Sequence, residues 1–444
     1  HWPKKPDMEQ LKNDVLIIGD GLAGIVASLE LLTGGHGVTL IDRDSADNFG
    51  GLARESFGGV FVVDSQEQRR HGLHDSTELA YQDWLSFGEF KAEDEWPRRW
   101  AQTYVHECNE RVYCWLKSQG IRFLPLPNWV ERGQYQPGNS LPRFHMIWGT
   151  GQELIRQLLL RLENHPRRSA LTLKFGYRVE SLILESRAIR GCRGVTETEG
   201  TPFEAHGEMT IVATGGINGC LEQVRRHWHT DWSKPPAVLL NGSHRYADGL
   251  LHQAVAETGG VVTHLDKMWN YAAGVHHWQP RKPAHGLSLV PPRSALWLNW
   301  RGERMGPEPL VSGFDTRELV RRVCQEEQAH SWLLLNHRIA LRELAVSGAE
   351  FNPSIRNRQR MRFLLELILG NRRVVADLLE HCEDFVLAQS LPELVEKMNR
   401  LQGTPCVDLK TVQEAVERYD AQIERGPKLH NDEQLRRIAA LRQW

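Results

Sequence analysis

The sequence predicts an α/β fold built on a parallel sheet, followed by a second region and a largely helical C-terminal part. Three observations predict it. Val15–Ile18 is an unbroken apolar run, as expected of a central strand buried on both faces. Gly19, Gly21 and Gly24 follow it directly and open an apolar helical stretch. A second apolar run, Val38–Ile41, ends in an acid at Asp42, and a third, Ile211–Ala213, ends in Thr214, Gly215 and Gly216.

The first glycine allows a tight turn, the second lets backbone approach a pyrophosphate, and the third lets helix and strand pack closely. Asp42 lies 18 residues after Gly24, near the roughly 20 expected of an acid that binds a ribose hydroxyl. Strand, glycine turn, helix, strand and acid in this order predict a Rossmann-like dinucleotide-binding unit. Asp20 breaks the pattern. A carboxylate between the first two glycines either repels the anion meant for the helix N-terminus or points harmlessly to solvent.

At 444 residues the chain exceeds one ordinary domain. A composition shift near Asn241 divides it into 8–240 and 241–444. Lys plus Arg total 54 against 56 acids, for a net charge of −2, which gives no electrostatic case for nucleic acid or an anionic membrane. Seven scattered cysteines without a CxxC exclude a disulfide framework and a structural zinc site. His227 and His229 lack a third ligand at suitable spacing, so no metal site is expected. The best apolar run, Phe363–Leu369, is interrupted by Glu366 and falls short of the ~20 residues of a membrane span. These features lead us to expect a cytoplasmic protein, with HWPKKPD before Met8 as an upstream extension. The 15 tryptophans, many beside Pro, Arg or Asn, suit pocket or interface positions as well as core.

Along the chain, NFGGLARESFGGVF places two glycine pairs around Glu55 and Ser56, implying close backbone approach. Residues 76–120 read as mainly helical, ending at Gly120. WGTGQELIRQLLLRL reads as a further helix, and the stretch from TLKFG to about Gly200 as a meander of strands. Residues 317–444 read as helical, with breaks at Asn352–Pro353, Leu391–Pro392 and Gly403–Pro405.

The glycine turn, Asp42, GGLARESFGG and ATGG together resemble the flavoproteins of the fumarate reductase and succinate dehydrogenase family, in particular its 3-ketosteroid-dehydrogenase-like FAD-binding dehydrogenases. The stretches FVVDSQEQRRHGLHDS, NSLPRFHMIWGTG, HLDKMWNYAAGV and LSLVPPRSALWLN extend the resemblance over nearly the whole chain. It implies a Rossmann-like FAD-binding domain with an inserted α+β cap that supplies the substrate pocket. Gly19, Gly21, Leu22, Ala23 and Gly24 then hold the pyrophosphate, and Asp42, with Arg43 beside it, the adenosine ribose. Gly50, Gly51, Ser56, Gly58 and Gly59 lie along the diphosphate, ribityl chain and flavin; Val179 meets the adenine, and Ala213, Thr214 and Gly215 complete the FAD site.

The family moves a hydride between flavin N5 and a substrate carbon–carbon bond, with a cap residue handling the proton. Arg317 falls near the family's catalytic arginine, as proton relay or carboxylate clamp, or as a helix-start residue paired with Asp315 or Glu318. Tyr271, His276 and His277 fall in a segment that resembles the substrate-facing part of the cap, where histidine binds an oxyanion or carbonyl and tyrosine donates to a developing enolate, or where each has a packing or hydrogen-bonding role. The apolar content of the cap suits a ketosteroid-like ring; Arg317 and the histidines suit a dicarboxylate. The family's C-terminal return to the FAD domain, with a GLYAxGE-like segment, is not found before Trp444, so a fragment is expected. The expected partners are a small-molecule substrate and an electron acceptor, with oligomer formation open. Two other readings remain: a flavin-free interaction protein, motivated by Asp20 and the missing C-terminal segment, and an NAD-dependent dehydrogenase using the first turn alone, which GGLARESFGG and ATGG argue against.

Overall fold

A computed structural model describes residues 8–306, 308–348 and 350–441. The central sheet is made of β1 (Glu9–Ile18), β2 (Val38–Asp42), β3 (Leu171–Phe175), β4 (Tyr177–Glu185), β5 (Ala188–Thr196) and β6 (Pro202–Val212), in the order β3-β2-β1-β6-β5-β4. β3, β2, β1 and β6 run parallel, while β6, β5 and β4 are antiparallel. Ile18 is in register with Ile41 on one side and Val212 on the other. The first glycine turn, Asp42 and Ala213 therefore leave the sheet at one common edge, where ligands of open parallel sheets bind.

The unbroken apolar run of β1 follows from its two covered faces. Val15 and Ile17 pack with Ile25, Leu29 and Leu32 of helix α1 (Leu22–Thr33) and with Leu154, Ile155, Leu158 and Leu162 further along. Those last four belong to a second helix, Thr150–Glu163. Leu16 and Ile18 point the other way, against Val179, Cys192 and Phe203. Leu251 and Ala254 of the helix Leu250–Glu257 complete that face, so the sheet's core continues past the composition shift at Asn241.

The meander is shorter than expected. Leu171–Phe175 pairs parallel with β2, and only β4 to β6 form it. Gly176, at φ +75°, lies between Phe175 and Tyr177 and separates two apolar runs that look continuous in sequence, their strands lying at opposite edges of the sheet. Residues 76–120 hold the expected helices, Thr77–Phe87 and Glu95–Glu107, continued by a wider-wound turn over Cys108–Cys114 and a last turn over Trp115–Ser118.

Beyond the sheet, two antiparallel strand pairs, Gly274–His276 with Gly286–Ser288 and Leu296–Asn299 with Ser331–Leu334, are followed by helices. The strand Ser331–Leu334 lies within the stretch expected to be helical. The anticipated breaks are helix boundaries: Pro353 opens a helix, Leu391–Pro392 starts another under the Ser390 cap, and Gly403 ends it at φ +74°. Among the described residues no helix is long and apolar enough to cross a membrane, and all seven cysteines are free.

A Cβ on Gly24 falls 2.0 Å from the Gly19 carbonyl oxygen and 3.3 Å from Leu40. Gly24→Ala is therefore expected to cost about 3 kcal/mol, seen as a lowered denaturation midpoint.

Candidate functional site

The site begins where β1 runs out. Gly19 adopts φ +107°, and a Cβ there meets the Ala213 carbonyl oxygen at 2.4 Å. The backbone crossing between β1 and β6 thus requires glycine, and Ala213 fastens it by donating its N–H to the Ile18 carbonyl at 2.7 Å. Gly21 differs, since nothing lies within 4 Å of the position of its Cβ. That space opens at the N-terminus of α1, where Leu22 and Ala23 form the first turn with exposed side chains.

Asp42 uses both carboxylate oxygens to order this edge, accepting from the Asp20 N–H at 2.9 Å and the Asp44 N–H at 2.7 Å. Each oxygen keeps a lone pair for a ribose hydroxyl. Arg43 is occupied elsewhere: it pairs with Glu197 at 2.9 Å and Asp248 at 2.6 Å and stacks on Tyr246 at 4.4 Å. Val179 buries its side chain in the core beneath the sheet, so only its backbone can meet a ligand.

The double-glycine segment closes over the same turn. Gly51, at φ +52°, lies so near the first turn that its Cβ would be 3.7 Å from the Gly21 Cα. The glycines at 50, 58 and 59 have a further reason: a Cβ would strike Ile155 at 2.4 Å, Gly151 N at 2.8 Å and the Phe144 ring at 1.7 Å respectively. Ser56 ties the loop down, its hydroxyl donating to Ala53 O at 2.7 Å and accepting from Gly58 N at 3.1 Å. Thr214 and Gly215 leave β6 with accessible surface, Gly215 at φ +74°. The open cradle at Gly21, the acid beside it and the glycine-lined approach fit a bound dinucleotide.

From Ser56, Gly58 and Gly59 a cleft of about 2420 Å³ extends beneath the strand pairs and helices of the second region. Trp228, Trp269, Trp332, Leu240, Leu289 and Leu334 contribute to its apolar wall. Neither Lys nor Arg is among the described residues lining it, whereas Glu55, Glu350, Glu383, Asp384 and Asp420 are.

Two of the four expected catalytic side chains line this cleft, Tyr271 and His276. Tyr271, 52% exposed, stacks on Trp269 with centroids 5.9 Å apart, and partial desolvation with the Glu131 charge raises its pKa, keeping the phenol protonated. His276 Nδ1 bonds Asp384 at 2.9 Å, which requires a proton on Nδ1 when the acid is ionised. Its own backbone N–H donates to the same carboxylate at 2.5 Å.

His277 stands behind the wall, its side chain 8% exposed, stacked on His285 at 4.2 Å and facing Glu350 at 3.7 Å. Burial lowers its pKa, and burial with the Lys282 charge pushes His285 down to about 3, so neither is an imidazolium at neutral pH. Arg317 is also outside the cleft lining. Its guanidinium stacks on Phe87 at 4.2 Å, donates to the Phe87 carbonyl at 2.9 Å and pairs with Glu89 at 3.0 Å, holding the helix Thr316–Cys324 to the preceding helical region. Its ion-pair partner is Glu89, rather than the Asp315 or Glu318 considered from sequence.

His229 is buried and bonds Asp231 N and Lys267, with the Asp231 and Asp266 carboxylates 3.9 and 4.0 Å from its ring nitrogens. Two other groups have metal-ligand spacing, His277–His285–Glu350 and His276–Glu383–Asp384. Arg281 lies 2.5 Å from Glu350, and with Lys282 it lowers the affinity of the first group for a cation.

A glycine-shaped cradle at the edge of a parallel sheet, with an apolar cleft leading from it, defines a flavoprotein of the FAD-binding kind. The FAD binding domain family model matches residues 14–434, and the chain belongs to that family. The chain is an FAD-dependent oxidoreductase related to the ketosteroid dehydrogenases and fumarate reductases. It is 37% identical over 450 residues to the KsdD-like steroid dehydrogenase of Mycolicibacterium smegmatis (strain ATCC 700084 / mc(2)155), covering 97% of this chain and 81% of that protein. The 3-ketosteroid-Δ4-(5α)-dehydrogenase of Rhodococcus jostii RHA1, solved with 4-androstene-3,17-dione, shares the fold with a TM-score of 0.60 at 17% identity, over 96% of this chain and 80% of its own. The open conformation of a flavocytochrome c3 fumarate reductase matches with a TM-score of 0.63 at 18% identity, over 95% of this chain and 64% of its own.

Asp384, Glu350 and His285 escaped the sequence reading, being brought to the cleft from segments without a local motif. Gly149 and Gly151 carried a usable signal, two glycines at a helix start, and Gly151 abuts Ala53 O and Ser56 Oγ. Gly21→Ala is expected to leave the thermal midpoint unchanged while weakening flavin retention at least tenfold, measured by flavin released on gel filtration.

Proposed function

We propose that this protein transfers a hydride between FAD and a carbon–carbon bond of a neutral, ketosteroid-like ring substrate. The cleft carries this reading: it is large and apolar, and its described lining contains acids but neither Lys nor Arg. A dicarboxylate needs cationic partners when desolvated, and such a wall provides none. A fused-ring ketone needs apolar area and a few donors, which the leucines, tryptophans and Tyr271 provide. The 37% identical relative named as a steroid dehydrogenase supports the same substrate class.

Bound FAD supplies the hydride acceptor or donor. Gly19, Gly21, Leu22, Ala23 and Gly24 bind its pyrophosphate, Asp42 its ribose, and Ser56, Gly58 and Gly59 border the substrate side. Tyr271, protonated at neutral pH, donates to the substrate carbonyl oxygen as enolate character develops. His276, held in one tautomer by Asp384, takes or returns the proton at Nε2. His277 and His285 buttress this wall as neutral imidazoles, and Arg317 serves to hold its helix through Phe87 and Glu89.

With FAD-loaded protein and a dye acceptor, turnover of 3-ketosteroids is expected and turnover of succinate or fumarate is not; the reverse preference would sink the steroid reading. Tyr271→Phe is expected to lower kcat by roughly 100-fold with a smaller change in KM. Asp384→Asn, which frees the His276 tautomer, should alter the pH profile of kcat while leaving flavin content unchanged.

A further inference from the structure

Asp20 does not point to solvent. It is 2% exposed, and its Oδ2 is buried without a hydrogen-bond partner. The residue sits between Asp42, whose carboxylate holds the Asp20 N–H, and Gly21, where the helix N-terminus opens. The charged groups facing it are acids: Asp42 beside it and Asp44 at the exit of β2. From the double-glycine loop the Gly50 N–H faces its carboxyl. The nearby basic groups are engaged with other acids, His244 with Asp44 at 3.1 Å and Arg43 with Glu197 and Asp248.

We propose that FAD binds only the form of the protein in which Asp20 carries a proton, so that flavin affinity is set by the protonation of this one carboxyl. The inference rests on the FAD site described above. Asp42 offers its carboxylate oxygens to the ribose hydroxyls, and the diphosphate brings further negative charge to the end of α1. An ionised Asp20 would add a third anion in a desolvated turn. A neutral one removes that repulsion and offers an O–H donor from the orphaned edge.

Burial first, and then the Asp42 charge, push Asp20 up to about 8. The turn is therefore ready for flavin at neutral pH and loses that readiness as the solution becomes alkaline. A bound diphosphate raises the group further, so the complex keeps the proton. Affinity is then level below about pH 8 and falls tenfold per pH unit above it.

The test titrates FAD into the flavin-free protein from pH 6 to 9, reading the change in flavin fluorescence, beside Asp20→Asn. The unmodified protein is expected to weaken on the alkaline side while Asp20→Asn stays level and binds more tightly at the alkaline end. Binding by the unmodified protein that is level across the range overturns the role of Asp20 and leaves the FAD reading standing. No binding by either protein at any pH overturns the FAD reading and this inference with it. Calorimetry of the unmodified protein, in two buffers of different ionisation heat at pH 9, reads the same coupling without a variant: nearly one proton taken up per flavin is expected, and zero overturns the proposal.

Discussion

The close crossing of backbone at Gly19 is the constraint on which the rest depends. β1 is in register with β2 and β6 up to Ile18, Ile41 and Val212, so all three strands end at one edge. The chain leaves that edge between β6 and the start of α1 only because residue 19 has no Cβ to strike Ala213 and residue 24 none to strike Gly19. Once those contacts are made, the helix end, Asp42 and the exit of β6 face the same space. A side chain at either glycine would push α1 off the sheet and disperse them.

The double-glycine loop is a second consequence of close approach, with two masters. Gly51 lies over Gly21, and Gly50, Gly58 and Gly59 lie against Ile155, the start of the helix Thr150–Glu163 and Phe144. Glycine is demanded there by protein packing as much as by a ligand. The loop is clamped between a helix and the nucleotide turn, so it is a firm floor for the cleft that starts from it.

Electrostatics divides the site into two environments. At the nucleotide end acids crowd together with backbone N–H groups, and the nearby Arg43 and His244 are committed to other carboxylates. The cleft is lined by apolar surface and acids without a Lys or Arg among the described residues, and Arg281 and Lys282 stand behind the wall near Glu350 and Ser243. Placing the cations outside the lining lets an uncharged ring enter without desolvating a Lys or Arg.

The first βαβ unit, the acid that ends it and the glycines of both turns were legible because each reflects a local requirement: a strand buried on two faces, a positive φ, an absent Cβ. Helix caps and breaks in the last 120 or so residues were legible for the same reason. Arg317 was misleading, since its partners Phe87 and Glu89 lie about 230 residues away, and His276 gave no hint of Asp384, 108 residues distant. Asp20 was visible as an anomaly, but its burial was not. What the sequence by itself determined is the backbone path around the nucleotide edge, because steric limits act between neighbours. Which carboxyl is protonated, which histidine meets the cleft and which arginine only packs were decided by the tertiary structure, since desolvation and charge sum over everything that folding brings near.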